Sequence, residues 1–161
     1  MMDNVDNLIE VLKSEKKLYK ELGELLALEI NLLVNWKVDD IISINKKKEN
    51  IFYKEKILEE ARIGFVKKLT GDQDHIKYTY ENIASFISGE EKKKYFRELC
   101  NDILNIVRKI EDNNSKIKIL YKNNIKIIDE FFNKVVKGRT KTYSANKKID
   151  ANSISIIRKS V

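Results

Sequence analysis

Apolar residues recur at seven-residue spacing through the first part of the chain and form three neighbouring columns. The columns start at Val11, Leu12 and Leu8, and the third one also contains Glu15 and Glu29. A spacing of seven keeps side chains on one side of an α-helix. Three columns make a stripe that is broader than a two-helix seam needs, so this helix should pack against more than one neighbour. We expect the two glutamates to mark the edge of its buried face.

Three further signals predict where helices end and begin. The columns are interrupted near 36–39, which indicates a short break between a first and a second helix. The Thr-Gly-Asp stretch at 70–72 is a stop signal, because glycine suits the position after the last helical residue. Ser88 and Glu91 form a capping-box pattern that should open the longest helix, which runs to about Lys137. A short helix is expected between these two signals.

The longest helix has a seam that alternates steps of three and four residues, as in a coiled coil. Two asparagines lie on it; they either fix the register from a buried position or lie at a solvated edge of the seam. The seam residues are Phe96, Leu99, Ile103, Ile106, Ile110, Asn113, Ile117, Leu120, Asn124, Ile127 and Phe131.

The chain contains no proline and only five glycines. Chains built of sheets and turns use both residue types, so their scarcity favours long helices. The sequence therefore predicts an all-α fold, an antiparallel bundle or hairpin of long coiled-coil-like helices. We expect residues 1–137 to form the helical bundle domain and residues 138–161 to form a flexible tail.

The net charge of +7 is concentrated in that tail. Residues 138–161 hold six basic residues and one acid, net +5, which leaves +2 for the other 137 residues. The tail is too polar to bury enough surface by itself, so it is a candidate for ordering on a partner.

The residue types needed for catalysis or for binding a cofactor are scarce. The chain has one His and one Cys, and it has no glycine-rich phosphate loop and no clustered metal ligands. We expect neither an enzyme, nor a bound metal, nor a cofactor. The acidic N-terminus is unlike a signal peptide, no apolar run is long enough to insert into a membrane, and a lone cysteine suits a reducing compartment. These features predict a cytoplasmic protein.

The end of the longest helix has more apolar positions than one packing face requires. The surplus predicts a groove for an amphipathic partner helix; the alternative is that this end is buried on two sides within its own bundle. The predicted partner-binding residues are Ile128, Phe131, Phe132, Val135 and Val136, with Tyr143 as an aromatic anchor in the tail.

Three segments of this sequence resemble the FlgN-type flagellar export chaperones. The first is LVNWKVDDIISI at 33–44 followed by KKE at 47–49, which is similar to the family's apolar pair, short acidic break and renewed helix. The second is the asparagine pair at 113–114 that precedes an apolar stretch of helix. The third is TYSAN at 142–146 in the tail, and together the segments extend the resemblance over nearly the whole chain.

The resemblance implies a cytosolic chaperone that binds hook-associated proteins, which form the hook–filament junction, before type III secretion. Such a chaperone would shield an aggregation-prone terminal helix of its substrate and deliver the substrate to components of the export apparatus. No small-molecule substrate is implied.

Two other functions stay open from the residues alone. A structural coiled-coil protein could self-associate through the same seams. A helical protein with a basic tail could also bind nucleic acid, with steep dependence on salt; the nearly balanced charge of the body and the absence of a basic stripe argue against that function.

Overall fold

The computed structural model of the chain describes residues 3–71 and 79–142. Three long helices and one short helix make up these ranges, and the all-α prediction is confirmed. They are α1 (Asn4–Val34), α2 (Val38–Thr70), α3 (Tyr80–Ser85) and α4 (Glu90–Thr142).

Helices α1 and α2 form an antiparallel hairpin joined by two ion pairs. Glu15 Oε1 lies 2.9 Å from Arg62 Nε, and Glu29 Oε2 lies 2.6 Å from Lys48 Nζ. The earlier acid of α1, Glu15, pairs with the later cation of α2, Arg62, and the later acid, Glu29, pairs with the earlier cation, Lys48. Both separations are two heptads, so the two pairs define a single register between the helices.

The first part of α4 runs parallel to α1. Asp6 pairs with Lys92 at 2.7 Å, and Lys16 pairs with Asp102 at 2.5 Å. Both pairs join residues that are 86 positions apart in the sequence, as a constant parallel register requires. Since α2 runs the other way, α1, α2 and this part of α4 form an up-down-up bundle.

The core of the bundle consists of two apolar clusters. The first contains Leu18, Leu22 and Leu26 of α1 with Ile110 and Ile117 of α4 among its buried members, together with residues of α2. The second joins the start of α1 to the end of α2, to α3 and to the start of α4. Its buried members are Val5, Leu8, Ile9, Leu12, Val66, Ala84, Ile87, Phe96 and Leu99.

The prediction that Glu15 and Glu29 mark the edge of the buried face is wrong. Glu15 is 2% exposed and Glu29 is completely buried, so their column is the centre of the packed face. A buried carboxylate must be compensated by charge and hydrogen bonds. Arg62 and Lys48 supply the charge, and Tyr121 of α4 donates a further hydrogen bond to Glu29 Oε1 at 3.0 Å.

The predicted break between the first two helices is confirmed, and it is closed by a helix-terminating motif centred on Trp36. The N–H of Lys37 donates to the carbonyl of Leu32 at 3.0 Å, and the N–H of Trp36 donates to Leu33 at 3.4 Å. These are the two reverse bonds of a Schellman motif, which places its central residue in the left-handed region. Trp36 has φ 57°, in a position that glycine usually occupies.

Of the other two predicted helix boundaries, the end of α2 is confirmed and the start of α4 is wrong by one residue. Gly71 ends α2 with φ 75° and donates its N–H to Lys67, as the stop signal predicted. The capping-box prediction is wrong by one residue, because α4 begins at Glu90 and its first backbone bond runs from Lys93 to the carbonyl of Gly89. Gly89, with φ 89°, permits the turn that precedes the helix.

The chain divides into two compact units, Met1–Lys122 and Asn123–Val161. The first contains the bundle, and of the second the structure describes only the helical residues to Thr142.

The predicted seam is buried at Phe96, Leu99, Ile110 and Ile117, and Asn113 on the same seam is half-buried. The proposed boundary between residues 137 and 138 stays a prediction, and helix α4 continues through it. None of the described helices combines the length and apolar content that a membrane crossing needs.

The charge on Glu29 should be essential to the stability of the bundle. We expect Glu29→Ala to lower the free energy of unfolding by roughly 3 kcal/mol, because Lys48 would lose the partner of a buried charge. Replacing all three interacting side chains in one variant, Glu29→Leu with Lys48→Met and Tyr121→Phe, should recover most of the lost stability. Urea unfolding measures both effects. The exposed Glu24 of the same helix is the control, since Glu24→Ala should cost less than about 0.5 kcal/mol; equal losses at Glu24 and Glu29 would contradict the account.

Glycine should be better than tryptophan at position 36. Trp36→Gly should raise the free energy of unfolding by about 0.5–1 kcal/mol, because glycine removes the left-handed strain. Val38→Gly, in the first turn of α2, should have the opposite sign, since glycine weakens a regular helix. Thermal or urea unfolding of the two variants tests this, and a loss of stability in both would show that Trp36 is not strained.

Candidate partner-binding surface

The described helix beyond Lys122 carries a dense set of exposed apolar side chains. None of its described side chains is buried, and the seven large apolar ones are between 37% and 62% exposed. Monomeric proteins seldom expose so many neighbouring large apolar residues without a binding role. We name these seven residues the C-terminal apolar face: Ile125, Ile127, Ile128, Phe131, Phe132, Val135 and Val136.

The C-terminal apolar face occupies about half of the helix circumference, since successive residues turn by about 100°. Ile128 and Val135 lie at its centre. Val136 and Ile125 form one edge, and Ile127 forms the other. The opposite half is polar and carries Lys126, Asp129, Glu130, Asn133, Lys134 and Lys137.

Two aromatic rings contribute most of the area of this face. The centroids of Phe131 and Phe132 lie 6.0 Å apart with an interplanar angle of 76°, an edge-to-face arrangement. The rings thus restrict each other while both side chains stay at least half exposed. On the polar half, Lys126 Nζ lies 3.9 Å from Glu130 Oε1 one turn later, an exposed pair that keeps that side hydrated.

The predicted partner-binding residues of the described helix all belong to this face. Ile128, Phe131, Phe132, Val135 and Val136 are exposed, in contrast to the alternative that packing on two sides buries them. Their spacing brings them onto one half of a single helix. Tyr143, the predicted aromatic anchor, lies outside the described residues. The binding role of all six stays a prediction.

The polar side chains inside the bundle were not anticipated from the sequence. Burial raises the pKa of the Glu15 carboxyl, while the hydrogen bond from Arg62 acts in the opposite direction. Burial also raises the pKa of Tyr121 to about 12, with a contribution from its hydrogen bond to Glu29. Tyr19 donates to Glu55 at 3.1 Å, and burial raises its pKa as well. Each of these groups is engaged in joining helices.

No set of three or more His, Cys, Asp or Glu side chains in the described ranges is placed to hold a metal ion. Cys100 is half-buried, and burial raises the pKa of its thiol to about 11. A thiol with a raised pKa is a poor nucleophile at neutral pH, because little of it is ionised.

The fold and its exposed face define the class of the protein as a helical bundle that presents an apolar helix face to solvent. The family model described as "FlgN protein" matches residues 1–151, nearly the whole chain. The chain therefore belongs to the FlgN family, and the resemblance found in its sequence is confirmed. The family is one of flagellar export chaperones, which act in flagellum biogenesis. Neither the curated proteins nor the solved structures contain a match to this chain.

The half-buried thiol of Cys100 gives a simple test of the packing around α4. At about pH 8, a thiol with a pKa near 11 should be alkylated roughly 100-fold more slowly than an ordinary thiol, in proportion to its thiolate fraction. Iodoacetamide labelling followed by mass spectrometry measures the rate at Cys100. The same chain in concentrated urea is the control, and equal rates in the folded and unfolded chains would contradict the burial.

Proposed function

We propose that this chain is a cytoplasmic export chaperone that binds hook-associated proteins and keeps them competent for flagellar type III secretion. Membership of the FlgN family supports the chaperone role. The observation that carries the choice of site is the C-terminal apolar face, with seven large apolar side chains exposed on one half of a helix. A terminal helix of the hook-associated protein is the proposed occupant.

The mechanism is the docking of one amphipathic helix face on another. The free terminal helix of a hook-associated protein exposes an apolar stripe, which drives aggregation when it is unpaired. Covering a half-exposed Ile or Phe contributes about 1 kcal/mol, roughly half of the value for full burial. Several such contacts give a complex that is stable in the cytoplasm but still dissociates, as export requires.

The bundle has a supporting role in this proposal. Its buried ion pairs and two apolar clusters account for the packing of α1, α2 and the first part of α4. The apolar residues of the C-terminal face are outside both clusters. They can therefore bind a partner at no cost to the core.

The part of the tail that follows α4 contributes a second contact in this proposal. Residues 143–161 follow directly on α4 and include Tyr143, the predicted anchor. Their basic charge would favour an acidic surface on the docked substrate or on a component of the export apparatus. We expect the tail to order over the bound helix.

Substitutions at the centre of the face should weaken binding without unfolding the bundle. Ile128→Ser and Phe132→Ser should each weaken the affinity for a hook-associated protein by about fivefold, because each removes an apolar contact of about 1 kcal/mol. Isothermal titration calorimetry measures the affinity. The matched control is Asn133→Ser on the polar half, and all three variants should unfold within about 0.5 kcal/mol of the parent chain. Unchanged affinity in both serine variants of the face would rule it out as the site.

Removing residues 143–161 separates the contribution of the tail from that of the helix. Because α4 extends to Thr142, this truncation leaves every described element intact. We expect loss of binding to the hook-associated protein with nearly unchanged helicity and melting temperature, measured by calorimetry and circular dichroism. A truncated chain that binds at full affinity would show that the tail has no such role.

Self-association is the competing function, because the same apolar face could pair with a second copy. Sedimentation of the isolated chain distinguishes the two. A chaperone should take up its substrate in a small fixed ratio, whereas a structural coiled coil should oligomerise by itself.

A further inference from the structure

Four lysines lie on one side of α1, at steps of three and four residues, and border a cleft between α1 and α4. The cleft has a volume of about 290 Å³, and two residues of α4 form its apolar wall. Leu99 is buried at the floor of the cleft, whereas Tyr95 is 44% exposed. We name this surface the lysine groove: Lys13, Lys16, Lys17, Lys20, Tyr95 and Leu99.

The positive charge of the lysine groove is not balanced by its own stretch of α1. Between positions 13 and 20 the sequence contains one acid, Glu15. That carboxylate is 2% exposed and pairs with Arg62 of α2, so it is engaged inside the bundle and not in the groove. The exposed charge of this stretch therefore comes from lysines alone.

Two of the four lysines are paired within the chain. Lys16 Nζ lies 2.5 Å from a carboxylate oxygen of Asp102 on α4, and Lys13 Nζ lies 2.7 Å from Glu10 one turn earlier. Lys13 Nζ also lies over the ring of Tyr95, 5.7 Å from its centroid. These contacts hold two lysines against the walls of the groove and use their charge.

The other two lysines, Lys17 and Lys20, are exposed and have no ion pair or side-chain hydrogen bond in the described part of the chain. On its other side Lys17 borders a cleft between α1 and α2, where Glu21 and Lys54 contribute one charge of each sign. That cleft therefore adds no net negative charge. The groove thus presents two unpaired cations one helical turn apart, about 4.5 Å along the axis.

An acidic amphipathic helix has the chemistry that fits this groove. Carboxylates three or four positions apart lie on one face of such a helix and match the one-turn spacing of Lys17 and Lys20. An apolar side chain beside them can pack on the exposed ring of Tyr95 and reach toward Leu99. Complementary charge then selects an acidic partner over a basic one.

A nucleic acid or an anionic membrane fits the groove less well. Double-stranded DNA carries one negative charge about every 1.7 Å along its axis. The groove offers only two unpaired cations, and the carboxylates of Glu10 and Asp102 lie beside its other lysines. A membrane surface is broad, so its headgroups would not reach Leu99 at the floor of the cleft.

We infer that the lysine groove binds an acidic amphipathic helix of a partner protein, with carboxylates paired to Lys17 and Lys20 and an apolar side chain against Tyr95. The groove belongs to the unit Met1–Lys122 and shares no residue with the C-terminal apolar face. The inference therefore goes beyond the proposed function and is tested independently of it.

Binding of synthetic peptides to the full chain tests the inference. The probe is a fluorescein-labelled amphipathic peptide of about fourteen residues, or four helical turns, with glutamates three and four positions apart beside a stripe of leucines. A second peptide has glutamine in place of every glutamate and keeps the leucines. Fluorescence anisotropy measures both affinities, and we expect the glutamate peptide to bind at least about tenfold more tightly.

Substitutions in the groove locate the bound peptide. Lys17→Glu combined with Lys20→Glu should weaken binding of the glutamate peptide about tenfold or more, because two attractions become repulsions. The matched control is Lys46→Glu with Lys47→Glu on α2, an exposed pair that also has no ion pair in the described ranges. It changes the net charge equally and should leave the affinity within about twofold. Tyr95→Ser should weaken binding about threefold by removing an apolar contact.

A milder variant keeps the test valid if the double reversal unfolds the chain. Lys17→Gln with Lys20→Gln removes the two charges without adding new ones, and it should weaken binding of the glutamate peptide about threefold. Circular dichroism measures the melting temperature of every variant. Because both lysines are exposed, we expect the glutamine variant to melt as the parent chain does.

Four results would overturn the inference. Equal affinity for the two peptides would show that acidic residues are not required, and equal losses in the groove and in the α2 control would show a general charge effect. Binding that survives the groove variants and is lost on removing residues 143–161 would assign the peptide to the tail. A DNA duplex or phosphatidylglycerol vesicles that bind more tightly than the glutamate peptide, and are released by the same reversal, would assign the groove to that class of ligand.

Discussion

The burial of two glutamates at the centre of α1 determines how the long helices align. Glu15 and Glu29 are almost inaccessible to water, and each one has a cation from α2 within 3 Å. Sliding α2 by one heptad would place one glutamate opposite Glu55 and the other opposite an aliphatic side chain. Either change leaves a buried charge without compensation, which costs several kcal/mol. Apolar columns alone tolerate a heptad slip, so the ion pairs define the register that the columns leave open. Tyr121 extends this constraint to α4 through Glu29.

The same heptad spacing contributes to the core in the first unit of the chain and to an exposed face in the described part of the second unit. In Met1–Lys122, heptad positions of α4 such as Ile110 and Ile117 are buried in a core closed by α1 and α2. In the described part of the second unit, Phe131 occupies an equivalent heptad position and is 62% exposed. The heptad positions of the first unit thus form its core, whereas the side chains of the C-terminal apolar face are exposed. A chaperone benefits from this arrangement, because occupation of the face need not disturb the packing that holds the bundle together.

The sequence predicted the helices better than it predicted their polar contacts. Heptad columns, the absence of proline and the glycine at position 71 are local signals, and they were sufficient for the helices, the break and the end of α2. The burial of Glu15 depends on Arg62, 47 positions away, and that of Glu29 also depends on Tyr121, 92 positions away. Spacing along one helix carries no information about such distant partners. A glutamate at the edge of a buried helix face and one at its centre therefore give the same sequence pattern. The C-terminal face could be predicted because its apolar positions are too numerous for one seam. The exposure of this face could not be predicted, because a helix end that is buried on two sides within its own bundle has the same pattern of apolar residues.

The central claim is that the exposed half of the helix after Lys122 holds the substrate of this FlgN-family chaperone. Hydrogen–deuterium exchange of the full chain, with and without a hook-associated protein, tests it most directly, because amide protection reports coverage of each segment. The account predicts that amides of residues 123–137 become more protected in the complex, while those of α1 change little. Protection confined to α1 and α2, with residues 123–137 exchanging as in the free chain, would contradict it.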